Sequence, residues 1–121
     1  MTYESCTRVE SKVRPGVTFV IAKMSFGRRM ELVRRIRDLS LRSECVNSGK
    51  TTEEKVDAAL ISAQIDQLYV TWGLQGLIGL EVDGNTATPE LLASAGPEDL
   101  FREVVSAIKA ECGLSEDERK N

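Results

Sequence analysis

Apolar residues return at the period of an α-helix through most of this chain, and the first such stretch follows the polar residue Ser25. Serine is a good N-cap, because its hydroxyl can accept a hydrogen bond from the first helical turn. The sequence therefore predicts a helix from about Phe26 to Val46. Its apolar arc, which we expect to face the core, consists of Leu32, Val33, Ile36, Leu39 and Val46.

A second helix is predicted to begin with Thr51, which forms a capping box with Glu54, and to end at about Trp72. This helix has two apolar arcs on nearly opposite sides, and a single packed face cannot bury both. The helix is therefore either central in the fold or part of an interface. The first arc contains Val56, Ala59, Leu60, Ala63 and Val70, and the second contains Ile61, Ile65, Leu68, Tyr69 and Trp72.

Short strands are expected on both sides of the two long helices. Alternation after the turn signal Pro15-Gly16 predicts a strand over residues 17–22. Residues 3–13 also alternate, and they can either pair with that strand as a hairpin or form a flexible arm. Beyond the second helix, several glycines break the helical rhythm before the turn signal Asp83-Gly84, so a strand or a tight loop is expected over residues 74–84.

Two further helices are predicted near the C-terminus. Thr88 is suited to an N-cap and Pro89 to the first helical position, and Gly96 favours a left-handed helix end. A last long helix begins at about Pro97, carries one apolar arc, and stops at Gly113.

These elements together predict an α+β fold that is mostly α-helical. It contains about four helices, a short N-terminal strand or hairpin, and a short strand or turn near residues 74–84. We expect a single domain over residues 1–121. Within it, residues 1–14 are expected to be a flexible or strand-forming arm, and residues 114–121 an exposed tail.

The composition argues against catalysis and in favour of association. The chain has no histidine, which removes the commonest general base and metal ligand, so we expect neither an enzyme nor a cofactor. Residues 1–50 carry 11 Lys and Arg against 5 Asp and Glu, whereas residues 51–121 carry 5 against 14. The basic half of one molecule can pack on its own acidic half or on that of another copy, so self-association is expected.

Several short segments resemble known chemical motifs but lack residues that those motifs require. Cys6, Cys45 and Cys112 are widely spaced and form no metal or redox motif. Residues 48–51 imitate the end of a phosphate-binding loop but lack its first glycine, and residues 81–85 lack the register of a calcium loop. No apolar run reaches the length of a membrane span, and the N-terminus is too polar for a secretory signal, so we expect a soluble cytoplasmic protein.

Two groups of residues are candidates for binding a partner. The arginine face of the first helix can be a solvated or internally paired surface, a site for an acidic protein, or a nucleic-acid site, which the interspersed acids disfavour. The second arc of the second helix is either an exposed contact surface or a set of core anchors. The arginine face consists of Arg34, Arg35, Arg37 and Arg42, and the apolar group of Ile61, Ile65, Leu68, Tyr69 and Trp72.

Several segments, taken together, carry a resemblance to a known family. They are the N-terminal strand, SFGRRMELVRRIRDL, LYVTWGL, GLEVDG, ATPELL, GPEDLFREVVSAI and the ending GLSEDERKN. From Pro15 to Asn121 the chain resembles the tail assembly chaperones of tailed bacteriophages. The resemblance implies that the protein binds the tape measure protein and helps recruit the tail tube protein around it in the host cytoplasm. It implies no active-site residues.

The resemblance also implies a longer form made by ribosomal frameshifting, and Lys120-Asn121 can be encoded by a slippery run. Two other classes of function stay open, namely a structural tail component of the virion and, less favoured, a nucleic-acid-binding regulator. A structural component should stay in purified particles, and the DNA affinity of a regulator should fall steeply with salt. A chaperone should do neither while it keeps its partner soluble.

Overall fold

The computed structural model describes the backbone of residues 1–46 and 52–113, and the side chains of residues 1–41 and 58–113. The predicted capping box at Thr51 and the predicted tail over residues 114–121 lie outside these ranges. The described residues form the predicted α+β fold, mostly α-helical, with four helices and five short strands. In chain order these are β1 (Cys6–Glu10), β2 (Thr18–Ala22), α1 (Phe26–Val46), α2 (Thr52–Gly73), β3 (Leu74–Ile78), β4 (Glu81–Val82), β5 (Asn85–Thr86), α3 (Pro89–Ala95) and α4 (Glu98–Cys112).

Strands β1, β2 and β3 form an antiparallel sheet in that order. In the β1–β2 hairpin Val9 lies opposite Phe19, and β3, which follows α2 directly, places Leu77 opposite Phe19 on the other side. Because side chains alternate along a strand, these three residues share the face that packs on the helices. Residues 3–13, for which the sequence predicts either a hairpin strand or a flexible arm, therefore contain strand β1 at their centre.

The connection between β1 and β2 is held against α4. The Ser11 hydroxyl donates to Glu103 Oε1 at 2.6 Å, and the backbone N–H of Lys12 donates to Glu103 Oε2 at 2.7 Å. Arg14 forms an ion pair with Asp99 at 3.1 Å. The strand-forming alternative is thus the one adopted by residues 6–10, which pair in the sheet, and Ser11, Lys12 and Arg14 contact α4.

The segment after β3 contains a small hairpin. Strands β4 and β5 pair around Asp83 and Gly84, whose φ angles are 52° and 82°. Positive φ at both central residues is the requirement of the two-residue turns that match the twist of a hairpin. The turn signal read from the sequence is confirmed, and residues 74–84 consist of one strand followed by this hairpin.

Helix α1 begins at the predicted residue. Ser25 Oγ accepts a hydrogen bond from the N–H of Arg28 at 3.2 Å, as an N-cap does. Leu32 and Ile36 of the predicted arc are buried, and the side chain of Val46 lies outside the described residues. The core face of α1 is therefore the one predicted from its apolar period.

The ends of the two later helices are set by their caps. Thr88 Oγ1 accepts from the N–H of Leu91 at 3.1 Å, and α4 ends in a left-handed Gly113 with φ 62°. The prediction of a left-handed Gly96 is wrong, since its φ is −82°. This position favours glycine because an added Cβ would lie 2.8 Å from Leu92 Cδ1.

The core lies between the inner face of the three-stranded sheet and the helices. Burial of the apolar side chains that fill this core supplies the main favourable free energy of folding. Strand β2 and all four helices contribute to it, so the elements are mutually dependent. The largest fully buried side chains are Tyr69, Phe19, Leu32, Leu92, Leu100, Ile108, Val70 and Val104.

Candidate partner-binding surface

The five apolar residues of α2 that were candidates for an exposed surface lie mostly in the core. Tyr69 is 1% exposed and Trp72 5%, and Ile61 is also buried. Ile65 and Leu68 are half-buried and pack against the core cluster. Of the two alternatives, core anchors therefore describe Ile61, Tyr69 and Trp72, so the exposed-surface alternative is wrong for these three residues. The physical reason is position, because α2 packs against α1, α3 and α4, and these helices leave little of the arc open.

Two arginines at the start of α1 turn inward and reach the ends of other helices. The guanidinium of Arg28 lies 4.4 Å from the ring centre of Trp72, and its Nη2 donates to the carbonyl oxygen of Trp72. Nη2 of Arg29 donates to the carbonyl oxygen of Cys112 at 3.2 Å. The last carbonyls of a helix lack helical partners and carry the negative end of its dipole. Arg28 and Arg29 thus join α1 to the C-terminal ends of α2 and α4.

The three described arginines of the predicted α1 face, Arg34, Arg35 and Arg37, are all exposed but differ in their surroundings. Arg34 and Arg37 are exposed and lie about 60° apart around the helix, at 100° per residue. Arg35 lies on another side and pairs with Glu31 at 2.7 Å, as the spacing predicts. The side chain of Arg42 lies outside the described residues. The structure therefore brings together two of the four predicted arginines.

The outward side of α1 combines apolar and basic side chains. Phe26 is 83% exposed, Met30 49% and Leu41 48%. These three residues fall with Arg34 and Arg37 in an arc of about 80°, and this arc contains no acidic residue between Phe26 and Leu41. We call Phe26, Met30, Arg34, Arg37 and Leu41 the α1 stripe.

Sequence reasoning selected the arginines of the α1 stripe but missed its apolar members. The signal was present in the helical spacing. Phe26 and Met30 are four residues apart and, at 100° per residue, lie about 80° and 120° around the helix from Ile36. Large apolar side chains outside the core arc of an amphipathic helix are a mark of a contact surface.

A groove of about 390 Å³ lies where α2, α3 and α4 meet. The charged groups along it are paired, Glu98 with Arg102 at 3.1 Å and Asp66 with Lys109 at 3.0 Å. The residues that line this groove include no serine, threonine, cysteine or lysine, and both of its carboxylates are in ion pairs. Its lining consists of Ala63, Asp66, Gln67, Leu92, Ala93, Gly96, Glu98, Phe101 and Arg102.

The thiol of Cys112 is buried and is not activated as a nucleophile. Cys112 is 3% exposed, and burial raises the pKa of its thiol from 9 to about 11, although Arg29 opposes the shift. A thiol with a raised pKa is a poor nucleophile at neutral pH. Cys6 is half-buried and free, and the side chain of Cys45 lies outside the described residues. Within the described ranges no group of three or more potential ligands is placed to hold a metal ion.

No family model matches this chain, and neither does any curated protein or solved structure. Among the helices of the described ranges, none combines the length and the apolar content needed to cross a membrane. The α1 stripe is accordingly the feature from which a function can be argued, together with the resemblance seen in the sequence.

Proposed function

We propose that this protein is a tail assembly chaperone of a tailed bacteriophage. It binds the tape measure protein in the host cytoplasm, assists assembly of the tail tube, and carries out no catalysis. The resemblance of the sequence to that family supports the proposal. The structural observation that carries it is the α1 stripe, which presents Phe26, Met30 and Leu41 to solvent on a helix whose other side is built into the core.

The composition of the α1 stripe suits a protein partner. Phenylalanine, methionine and arginine are all enriched where proteins meet, because they combine large contact area with adaptable or bidentate polar contacts. Arg34 and Arg37 are exposed and available to carboxylates of a partner. Nucleic acid would need positive charge along a phosphate track, whereas three of the five side chains here are apolar.

The shape of the α1 stripe suits a partner that is itself a helix. From Phe26 to Leu41 it extends for about 22 Å at 1.5 Å per residue. Its five side chains, three apolar and two basic, recur at intervals of three or four residues, which is the spacing by which one helix packs along another. The family resemblance implies that the tape measure protein is long and helical, so it offers such a helix. Contact with the stripe would cover apolar surface on both molecules and keep the partner soluble.

The test is co-expression with the tape measure protein of the same phage. The unmodified chain should keep the tape measure protein in the soluble fraction and copurify with it. The double substitution Phe26→Ser with Met30→Ser should abolish both effects while the variant itself stays folded. Ile78→Thr is the matched apolar control, since Ile78 on β3 is 49% exposed, like Met30, but lies outside the stripe.

The charged part of the α1 stripe is tested in the same assay. Arg37→Glu should weaken copurification, because it reverses a charge inside the stripe. Arg35→Glu is its control on the same helix, since Arg35 faces another side and pairs with Glu31. Equal solubilisation by the unmodified chain and both stripe variants would contradict the proposed contact.

The other two classes of function give different results. A structural tail component would be found in purified particles, whereas a chaperone is absent from them. A nucleic-acid-binding regulator would bind DNA with an affinity that falls steeply as salt rises. Persistence in particles, or DNA binding that Arg34→Glu and Arg37→Glu abolish, would replace the chaperone proposal with one of these.

A further inference from the structure

The outer edge of strand β1 presents unpaired backbone groups. The backbone N–H of Ser11 donates to Val17 at 2.8 Å, and that of Lys23 donates to Ser5 at 2.8 Å. In an antiparallel pair, hydrogen-bonded residues alternate with residues whose N–H and C=O point the other way. Odd-numbered residues of β1 therefore bond to β2, and the backbone groups of Cys6, Arg8 and Glu10 point away from the sheet.

The side chains along this edge are charged and open to solvent. Arg8 and Glu10 are exposed, and neither has a hydrogen-bond or ion-pair partner among the described residues. In the described part of the chain β1 packs mainly on β2, so its outer edge is uncovered. Charges on an edge strand often prevent pairing between molecules. Here, however, the order of the two charges makes the edge complementary to itself in one register.

We propose that β1 is an interaction surface for a second copy of this chain, joined edge to edge in an antiparallel, two-fold arrangement centred on Val9. In that register Arg8 of each copy lies directly opposite Glu10 of the other. Each of these two pairs exchanges two backbone hydrogen bonds, and the paired side chains lie on the outer face of the joined sheet. The two three-stranded sheets become one six-stranded sheet.

The neighbouring registers lack this match. Because only even-numbered residues have free backbone groups, the two-fold axis must pass through a residue and not between two. An axis at Arg8 sets that arginine against its own copy, and an axis at Glu10 does the same for the glutamate. An axis at Thr7 sets Arg8 opposite Cys6 and forms no charge pair. Opposite charges directly across an antiparallel pair stabilise it and like charges destabilise it, so the Val9 register is favoured.

The ladder is short, because the N–H of Lys12 is engaged by Glu103 and the chain then turns onto α4. An interface built on so few residues belongs to the small and transient class. Association is expected to appear only at high protein concentration and to weaken with salt, since both charge pairs are exposed. Edge-to-edge pairing requires only the free chain and does not depend on the proposed function or on the α1 stripe.

The experiment is sedimentation equilibrium of the whole chain from roughly 10 μM to 1 mM, the range in which such small interfaces dissociate. The unmodified chain should show a monomer–dimer equilibrium. Arg8→Glu or Glu10→Arg alone sets like charges against each other at both pairs, and each should raise the dissociation constant by roughly tenfold or more. Circular dichroism checks that each variant is folded, which the exposure of both positions favours.

The decisive variant carries both substitutions, Arg8→Glu and Glu10→Arg. It restores opposite charges across both pairs, so its dissociation constant should return to near that of the unmodified chain. Glu90→Arg, at an exposed position on α3, is the control and should leave association unchanged. A chain that stays monomeric to 1 mM overturns the proposal. So does a dimer that the single reversals leave intact or that the double variant fails to restore.

Discussion

Helices α1 and α2 each carry an apolar group outside a simple core arc, and the fold treats the two groups in opposite ways. On α2 the group ending in Tyr69 and Trp72 is largely buried beneath neighbouring helices. On α1 the apolar members of the stripe, Phe26 and Met30, stay exposed. The more continuously apolar group thus became core, and the group interspersed with arginine became surface.

This difference separates two meanings of an apolar residue. A nearly unbroken apolar arc gains most by complete burial within its own fold, because the gain grows with the area removed from water. If an arc that mixes large apolar side chains with arginine were buried within its own fold, the charged guanidinium groups would lose their contact with water. Such a mixture suits a contact that forms and dissolves, since a partner can supply carboxylates at the rim. Between these two groups, the mixture with arginine marks the exposed one.

The largest effect is expected from truncation on the buried side. Trp72→Ala should lower the free energy of unfolding by about 3–5 kcal/mol, because it removes a large core side chain and leaves a cavity. Urea denaturation followed by circular dichroism measures the change. Phe26→Ala removes a comparably large side chain from the exposed side and is the matched control. A loss below about 1 kcal/mol for Trp72→Ala would show that this arc is not core.

The next effect concerns the thiol of Cys112, which is buried at the C-terminal end of α4. Burial raises the pKa of the Cys112 thiol from 9 to about 11, so the unfolded chain loses this proton at a lower pH than the folded chain. The stabilising contribution is complete below pH 9 and falls as pH rises from 9 to 11, by up to about 2–3 kcal/mol.

The difference in unfolding free energy between the unmodified chain and Cys112→Ala, followed from pH 8 to pH 11, isolates this titration. Every other titratable group is present in both proteins, so its contribution cancels in the difference. A difference that stays constant with pH would mean that water reaches the thiol and that this end of the core is wet.

A smaller loss is expected from the residue that joins the two sides. Arg28→Ala removes the stacking on Trp72 and the hydrogen bond to its carbonyl, and should cost about 1–2 kcal/mol. Arg28→Lys keeps the charge but loses the planar fork, so its stability should lie between the two. Denaturant midpoints provide the measurement, with Arg34→Ala as the exposed control. Equal midpoints for Arg28→Ala and Arg34→Ala would contradict the linking role.

Much of the fold follows from local signals in the sequence. Ser25 and Thr88 cap helices through hydrogen bonds within one turn, and Asp83-Gly84 adopts the turn that its residue types favour. Such features depend on chemistry within a few residues, so they can be predicted without knowledge of the tertiary structure. The core face of α1 was equally accessible from its period.

The candidate site was only partly predictable, because exposure is decided by what packs nearby. Nothing within α2 tells whether another helix will cover Trp72, and burial there depends on residues far away in the chain. Gly96 shows the same limit, since its requirement comes from the lack of space beside Leu92 and not from a left-handed backbone. The pairing of Arg28 with the end of α2 likewise joins residues that are 44 positions apart. Tertiary packing overrides local preference at each of these places.

The smallest effect on stability, and the sharpest test of the comparison, is expected from the α1 stripe. Phe26→Ser and Met30→Ser should each change the free energy of unfolding by no more than about 0.5 kcal/mol, because side chains that water already reaches gain little from folding. Denaturation of each variant, with Leu60→Ser on α2 as an exposed apolar control, measures this. A loss of 2 kcal/mol or more would mean that Phe26 packs within its own chain. A binding role requires that these substitutions leave the free energy of unfolding nearly unchanged and abolish binding of the tape measure protein. Only a surface that contacts a partner, and not the core of its own chain, gives both results.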